Sequence, residues 1–478
     1  MPQPSPADAG DYLRSDTIVA PITASGGAVS VVRVSGPKAA EVLSALVGAQ
    51  TAAGIIRAPR QCRLAQLSDP TNGRVLDQAL VTYFAEGASY TGEPSVELSL
   101  HGGAYIRGEV LQTLAVLGCR PALAGEFSFR AVRNGCMTLD QAESVRDLIE
   151  SNHSVAHGLA LDRLSGSSQK IFSAIAEDLR STMALAEAGI DFSDQDLDEL
   201  ALNGLKQALI PAREFLQRTA ATLDRGRRIQ DGPTVAIAGL PNAGKSSLFN
   251  ELLGSDRSLI SDEAGTTRDI IREQLRLPGL LSGEQQLVWI SDTAGLRETA
   301  GRVESMGIAR ARSLIEESDW VLFVVDPASH PPEVLREWRA LGSPSGKALI
   351  VLHKADLFPD LEQRRAIDES WRSALGAASA FWVSSQTGEG LEGLSGALGR
   401  SVATLVKVEA GEFILTRIEQ QAAVLRAKES LDRAIASDSH ELFAADLRST
   451  LEHLSFFIGK TPVEETLGRI FSQFCIGK

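Results

Sequence analysis

The run Gly239-Leu-Pro-Asn-Ala-Gly-Lys-Ser246 has the form G-x-x-x-x-G-K-[ST], and no other feature constrains the fold as much. Before it, Thr234–Ala238 is a short, β-rich apolar stretch that reads as a buried strand. After it, Ser247–Leu253 reads as a helix. A strand, a glycine-containing turn and a helix in that order place phosphate groups on backbone N–H donors at a helix N-terminus. Gly239 and Gly244 let those N–H groups turn inward. Asn242, Ala243, Gly244, Lys245, Ser246 and Ser247 form the cradle. Lys245 reaches the terminal phosphates and takes a catalytic role, and the Ser246 hydroxyl is a Mg²⁺ ligand. The chain therefore handles a nucleoside triphosphate.

Later segments point to guanine. Trp289–Ser291 runs into Asp292, Thr293, Ala294 and Gly295, where an Asp at a strand end holds the metal through water and a Gly N–H meets the γ-phosphate. The strand Ala348–Leu352 ends in His353, Lys354, Ala355 and Asp356. The Asp356 carboxylate can accept from both guanine N1–H and N2–H, which adenine does not offer. Asn is usual where His353 stands, so selectivity leans on Asp356. Ser384, Ser385 and Gln386 fall in a segment similar to the loop that closes on guanine O6 in GTPases. Between the cradle and Asp292 lies Ser261, Asp262, Glu263, Ala264, Gly265, Thr266 and Thr267, a switch whose Thr267 adds a second hydroxyl to Mg²⁺. Leu296 stands where Ras-like enzymes carry a water-orienting Gln. A cation must then supply charge, and Asn242 with Ser261, Glu263 and Thr266 makes a candidate K⁺ site. Glu304 is the candidate carboxylate for the attacking water.

The blocks Asn242–Ser247, Ala264–Asp269 and Asp292–Arg297 resemble the tRNA modification GTPase family MnmE, also called TrmE. Era and Der-type ribosome-assembly GTPases share much of that pattern and are the alternative reading. The ends of the chain favour the first family. The tail Leu467–Lys478, ending Cys475-Ile-Gly-Lys478, is similar to its C-terminus. Asp16–Ala20, Val32–Gly36, Tyr90–Glu93, His101–Gly103, Gly125–Phe127 and Leu139–Glu143 are similar to its N-terminal part. The resemblance implies a K⁺-dependent GTPase that acts with the flavoprotein MnmG (GidA), in a heterotetramer, to add a carboxymethylaminomethyl group to the wobble uridine of certain tRNAs. It implies a 5-formyltetrahydrofolate or related one-carbon tetrahydrofolate, bound by an N-terminal domain that also makes the homodimer. Carried over, the folate contacts are Arg33, Glu93 and Lys478, with Cys136 where a Lys is usual. Cys475, beside Lys478, is a further functional candidate.

The remaining sequence bounds the organisation. A chain of 478 residues suggests about three domains. Strands at Val29–Val34, Val75–Phe84 and Ser95–Leu100 alternate with helices at Pro37–Leu46 and Arg107–Leu117, an α+β pattern. Helical periodicity fills about 138–228 and 413–474. The expected fold is multidomain α/β plus α: an α+β N-terminal folate-binding-like domain (1–134), a discontinuous helical domain (135–231 and 402–478), and an inserted Ras-like P-loop G domain (232–401). No apolar run has the length of a membrane span and no secretory signal opens the chain. The four cysteines lack metal-ligand spacing, so the cytoplasm is the expected compartment. A net charge of −14 argues against a surface broadly built for nucleic acid. The densest basic spot, Arg225-Gly-Arg-Arg228, reads first as a solvated helix end.

Overall fold

The computed structural model describes residues 12–151, 153–191, 198–254, 272–278, 285–292, 304–376, 379–409, 412–459 and 477. The first sheet grows from short strands with period-two burial. In β4, Asp77, Ala79, Val81 and Tyr83 point inward while Gln78 and Leu80 face out. The chain runs β1 (Ile18–Pro21), β2 (Val29–Ser35), α1 (Ala39–Val47), α2 (Ala49–Ile56), β3 (Arg63–Ser68), β4 (Val75–Phe84), β5 (Ser95–His101), α3 (Ala104–Val116), β6 (Arg120–Pro121) and α4 (Glu126–Arg133). The sheet order is β3-β4-β5-β2-β1-β6. Every pairing is antiparallel except β1 with β6. The inward face packs on α1–α3 through Val32, Val34, Leu43, Leu46, Val81, Leu98, Val110 and Leu114.

Helices α5 (Leu139–Glu150), α6 (Ser154–Leu164), α7 (Ser167–Asp191), α8 (Asp198–Ala208), α9 (Ile210–Ala220) and α10 (Leu223–Asp231) follow. Contacts gather the chain into two units: 1–149 with 160–216 and 423–478, and 150–159 with 217–422. In the first unit, α17 (His440–Ile458) lies along α7, with Phe172 and Phe457 stacked at 4.0 Å and 11°. Also there, the fully buried Arg163 bonds Asp140 at 2.6 Å and Asp147 at 2.9 Å, and Glu143 lies 3.8 Å away. Burial opposes the guanidinium's charge, but Asp140, Asp147 and Glu143 outweigh it, and its pKa is raised. The acidic residues of the Leu139–Glu143 motif thus have a structural task.

The second unit is a doubly wound sheet. Its elements are β7 (Thr234–Gly239), α11 (Lys245–Gly254), β8 (Arg272–Pro278), β9 (Gln285–Asp292), α12 (Glu304–Glu317), β10 (Trp320–Val325), α13 (Pro331–Ala340), β11 (Ala348–His353), α14 (Leu361–Leu375), β12 (Ala380–Val383) and α15 (Leu391–Leu405). A further helix, α16 (Ile418–Ala436), precedes α17. The order is β12-β11-β10-β7-β9-β8, parallel except for β8 against β9. Strands β7, β10 and β11 are buried almost throughout because helices cover both faces, which is why they read as unbroken apolar runs.

One expectation fails here. The basic run at 225–228 is a solvated helix face only at the exposed Arg227. Arg225 pairs with Glu412 and Arg228 with Asp319, both half-buried. Gly226 lies against Leu415, where an added Cβ would fall 1.7 Å from the carbonyl oxygen. Acidic partners far along the chain claim the charge, which a reading of neighbours in sequence does not reveal. Among the described residues no helix is long and apolar enough to cross a membrane.

Candidate functional site

The loops at the C-terminal ends of β7, β11 and β12 meet at one cavity of about 900 Å³. Parallel strands deliver their C-terminal loops to the same edge, which is where such sheets bind ligands. Gly239 closes β7 with φ +141°, and a Cβ there would fall 2.2 Å from the Val324 carbonyl oxygen, so β7 approaches β10 only with glycine. Asn242 follows with φ 62°, an uncommon conformation for a side-chain-bearing residue, and is exposed on the lining. Ala243 is buried beneath the loop. Lys245 is buried too, its ammonium donating to the Leu240 carbonyl at 2.8 Å. Ser246 donates to Asp292 Oδ2 at 3.0 Å, so the phosphate loop and the end of β9 meet where the sequence predicts a metal.

The base-reading end is equally built. Asp356 Oδ1 accepts from Ser384 Oγ at 2.5 Å, and Ser385 Oγ lies 2.8 Å from His353 Nε2. Lys354 has φ 61° and pairs with Asp326 at 2.6 Å, so its ammonium is anchored at the end of β10. Ala355 is buried beneath this loop. The cavity therefore brings together Asn242, Gly244, Lys245, Ser246, Ser247, His353, Lys354, Asp356, Ser384, Ser385 and Gln386. The switch residues Ser261–Thr267, as well as Thr293, Ala294, Gly295 and Leu296, lie outside the described residues. Glu304 opens α12, and its side chain also lies outside them.

Sequence reasoning missed Arg364. From α14 it donates to the carbonyls of Ala355 at 2.7 Å and Phe358, pairs with Glu389 and lies over Trp382. It ties the loop bearing Asp356 to the loop bearing Ser384. One of three arginines in a charged helix gives no local signal of that.

In the first unit, Arg33 pairs with Glu97 at 2.8 Å and sits over the rings of Tyr90 and Phe127. Glu93 accepts from Ser35 at 3.0 Å and pairs with Arg130 at 3.1 Å and Arg133 at 3.4 Å. Arg130 is fully buried and also bonds Asp16 and Glu126. Hydrogen bonds and charge from Arg120 and Arg130 hold the Asp16 carboxyl down at about 2, against desolvation. Cys136 packs on Gly92, next to Glu93: a Cβ at Gly92 would fall 2.7 Å from the sulfur. Desolvation pushes this thiol up, so it is uncharged at pH 7 and no substitute for a lysine. Gly477, buried at φ +102°, abuts β1, where a Cβ would fall 2.2 Å from the Pro21 carbonyl oxygen. Pro21 lies one register step from Ala20, which faces Arg33. Cys475 and Lys478 lie outside the described residues.

Comparison with known proteins decides the family. Residues 139–475 match the MnmE helical domain, and residues 17–136 match the GTP-binding protein TrmE N-terminus. The chain is 39% identical over 473 residues to the tRNA modification GTPase MnmE of Methylobacterium radiotolerans, covering 97% of this chain and 99% of that one. It is 37% identical over 475 residues to that of Caulobacter vibrioides, covering 97% and 100%. The chain belongs to the MnmE family. The resemblance read from the sequence motifs is borne out, and the chain is a GTPase of that family. Among solved structures, Era of Aquifex aeolicus bound to GDP and aluminium fluoride matches at 22% identity with a TM-score of 0.27. That match covers 41% of this chain and 66% of that one. It adds nothing to what MnmE membership establishes.

Proposed function

We propose that this chain hydrolyses GTP to drive tRNA wobble-uridine modification. It acts with the flavoprotein MnmG (GidA) and adds a carboxymethylaminomethyl group from a tetrahydrofolate-borne one-carbon unit. One observation carries the reading. A single cavity joins the phosphate loop to Asp356 and Ser384–Gln386, in a chain related along 97% of its length to tRNA modification GTPases.

The residues divide the work. Lys245 and the N-terminus of α11 meet the β- and γ-phosphates. Asp356 pairs with the guanine edge, and Ser384 fixes that carboxylate. Ser246 and Asp292, a hydroxyl and a carboxylate from two elements, suit a hard divalent ion, and Thr267 adds a second hydroxyl. Mg²⁺ held there neutralises phosphate charge. Asn242, exposed at the cavity, supplies a neutral oxygen for K⁺, with Ser261, Glu263 and Thr266 from the switch. Glu304 orients the attacking water in the absence of a Gln at Leu296.

The second site uses Arg33, Glu93 and Lys478 for the folate. The docking of Gly477 on β1 supports it, because it brings the tail to the strand paired with Arg33. Arg130 and Arg133 hold the Glu93 carboxylate in place, and Cys136 leaves one expected cation missing. The N-terminal domain makes the homodimer, and the protein works in the cytoplasm. Segments 135–231 and 402–478 act as one helical domain interrupted in sequence by the G domain, a reading supported by the packing of α17 along α7.

Mass spectrometry of tRNA nucleosides from a strain lacking this gene tests the proposal. Loss of the modified wobble uridine, restored by the gene, is the expected result. Intact wobble uridine with accumulating ribosomal precursors refutes it in favour of ribosome assembly.

A further inference from the structure

His353 departs from the Asn usual at its position, and its surroundings give that departure a role. The side chain is 5% exposed. One ring nitrogen, Nε2, lies 2.8 Å from Ser385 Oγ on the base-reading loop. The other edge of the ring lies on the phosphate loop: a Cβ on Gly244 would fall 2.2 Å from Nδ1 and 2.5 Å from Cε1. Nδ1 is buried there and has no hydrogen-bond partner among the described residues. A buried polar atom left in that state calls for an explanation. The ring is a wedge between the two halves of the cavity, bonded to one half and seated on the other.

We propose that neutral His353 is the positioning residue that holds the phosphate cradle in register with the guanine-reading loop. This rests on the reading of the cavity as a GTP site. Nucleotide binding and protonation of this ring are then coupled, and coupling is reciprocal. The charged groups facing the ring are Lys354, Asp356 and Asp326. Lys245, on the same cavity, is bonded to the Leu240 carbonyl. Burial first, then Lys354, holds the imidazole below its ordinary range, while Asp356 and Asp326 pull the other way. The protonated ring carries N–H on both nitrogens, toward Ser385 and toward Gly244, and adds charge beside Lys354. A bound nucleotide closes the cavity further over the ring and favours the neutral form. Affinity is therefore full above the imidazole's pKa and is lost as pH falls through it.

Binding of a fluorescent GDP analogue to the full chain tests this between pH 5.5 and 8, for wild type and His353→Asn. The phosphate of GDP ionises in the same range, so the quantity read is the ratio of the two Kd values at each pH, in which that ionisation cancels. The wild-type Kd, relative to the variant's, is expected to rise at least threefold from pH 7.5 to pH 5.5. A flat ratio overturns the proposal. A falling ratio does so too, because it means that the field of the phosphates governs the ring. His353→Gln replaces the first variant if that one does not fold. NMR of ¹³C-labelled histidine gives a second readout, with the His353 signal assigned by its loss in the variant. Saturation with GDP is expected to move its midpoint to lower pH, and an unmoved or raised midpoint overturns the proposal. Failure of wild type to bind GDP at pH 7.5 refutes the GTP-site reading instead.

Discussion

Asp356→Asn changes one atom and tests the whole base-reading assignment. In the structure Asp356 Oδ1 already accepts from Ser384 Oγ at 2.5 Å, so the carboxylate has a fixed orientation before any base arrives. In the variant, Ser384 donates to the amide oxygen, which leaves the amide NH₂ facing the base. Guanine N1–H and N2–H then lose a charged acceptor. A hydrogen bond to a charged group contributes about 1.5–3 kcal/mol, so two of them at the lower bound give about 3 kcal/mol, or about 150-fold in Kd. Xanthine presents a carbonyl at C2, which the new NH₂ satisfies. The expected outcome is a GTP affinity weakened by about two orders of magnitude, with XTP bound more tightly than GTP. Competition of GTP and XTP against a fluorescent nucleotide measures both, and XTP hydrolysis by the variant shows that it folds. A variant that still prefers GTP over XTP refutes the assignment of residues 353–356 as the base reader.

Four further outcomes test the remaining assignments. Replacing K⁺ with Na⁺ should slow GTP hydrolysis at least tenfold, a barrier change of about 1.4 kcal/mol, and equal turnover in steady-state assays would remove the cation role of Asn242. Glu304→Ala should lower kcat while leaving GTP affinity nearly intact, and a large loss of affinity by calorimetry would make Glu304 a structural residue. Deleting residues 475–478 should leave GTP hydrolysis within a few-fold of wild type, weaken formyl-tetrahydrofolate binding and abolish tRNA modification; normal modification in the deletion strain speaks against Lys478 as a ligand. Asp16 has its pKa lowered from 3.8 to about 2, so its contribution to stability is complete above 3.8 and fades as pH falls toward 2. Thermal melts across that window should show a steeper decline for wild type than for Asp16→Asn, and parallel curves would deny the pairs of Asp16 with Arg120 and Arg130 a role in stability.

The sequence was most legible where local pattern and chemistry coincide. Strands β4, β7 and β11 sit within a residue of their expected places because alternation or unbroken apolarity marks them. Elements β1, β3, β6, α2 and α4 were not anticipated. β1 has four residues ending in Pro and β6 has two, and β3 exposes Leu64, which blurs its alternation. Every nucleotide-site residue predicted from motifs and described here lies on the cavity or directly behind it, apart from Asp292, which meets it through Ser246. What stayed hidden depends on partners far away in sequence: Arg364 joining two loops, Arg130 behind Glu93, and two of the three arginines of α10 claimed by Glu412 and Asp319. A motif names the atoms that meet a ligand, whereas the groups that hold those atoms still are set by tertiary contact.

The contact between Gly477 and Pro21 also orders events in time. A ribosome adds about 5–20 residues per second, so residue 477 arrives roughly half a minute or more after β1 has emerged. During that interval the edge at Pro21 stands open while the rest of the first sheet is able to fold. The helix pair α7 and α17 waits a little over half as long. A nascent or prematurely stopped chain can therefore carry a finished phosphate loop while this edge remains uncovered. A chain stopped short of residue 477 cannot make the Gly477–Pro21 contact, so this edge is completed only after the phosphate loop and helices α7 and α17 have all been synthesised.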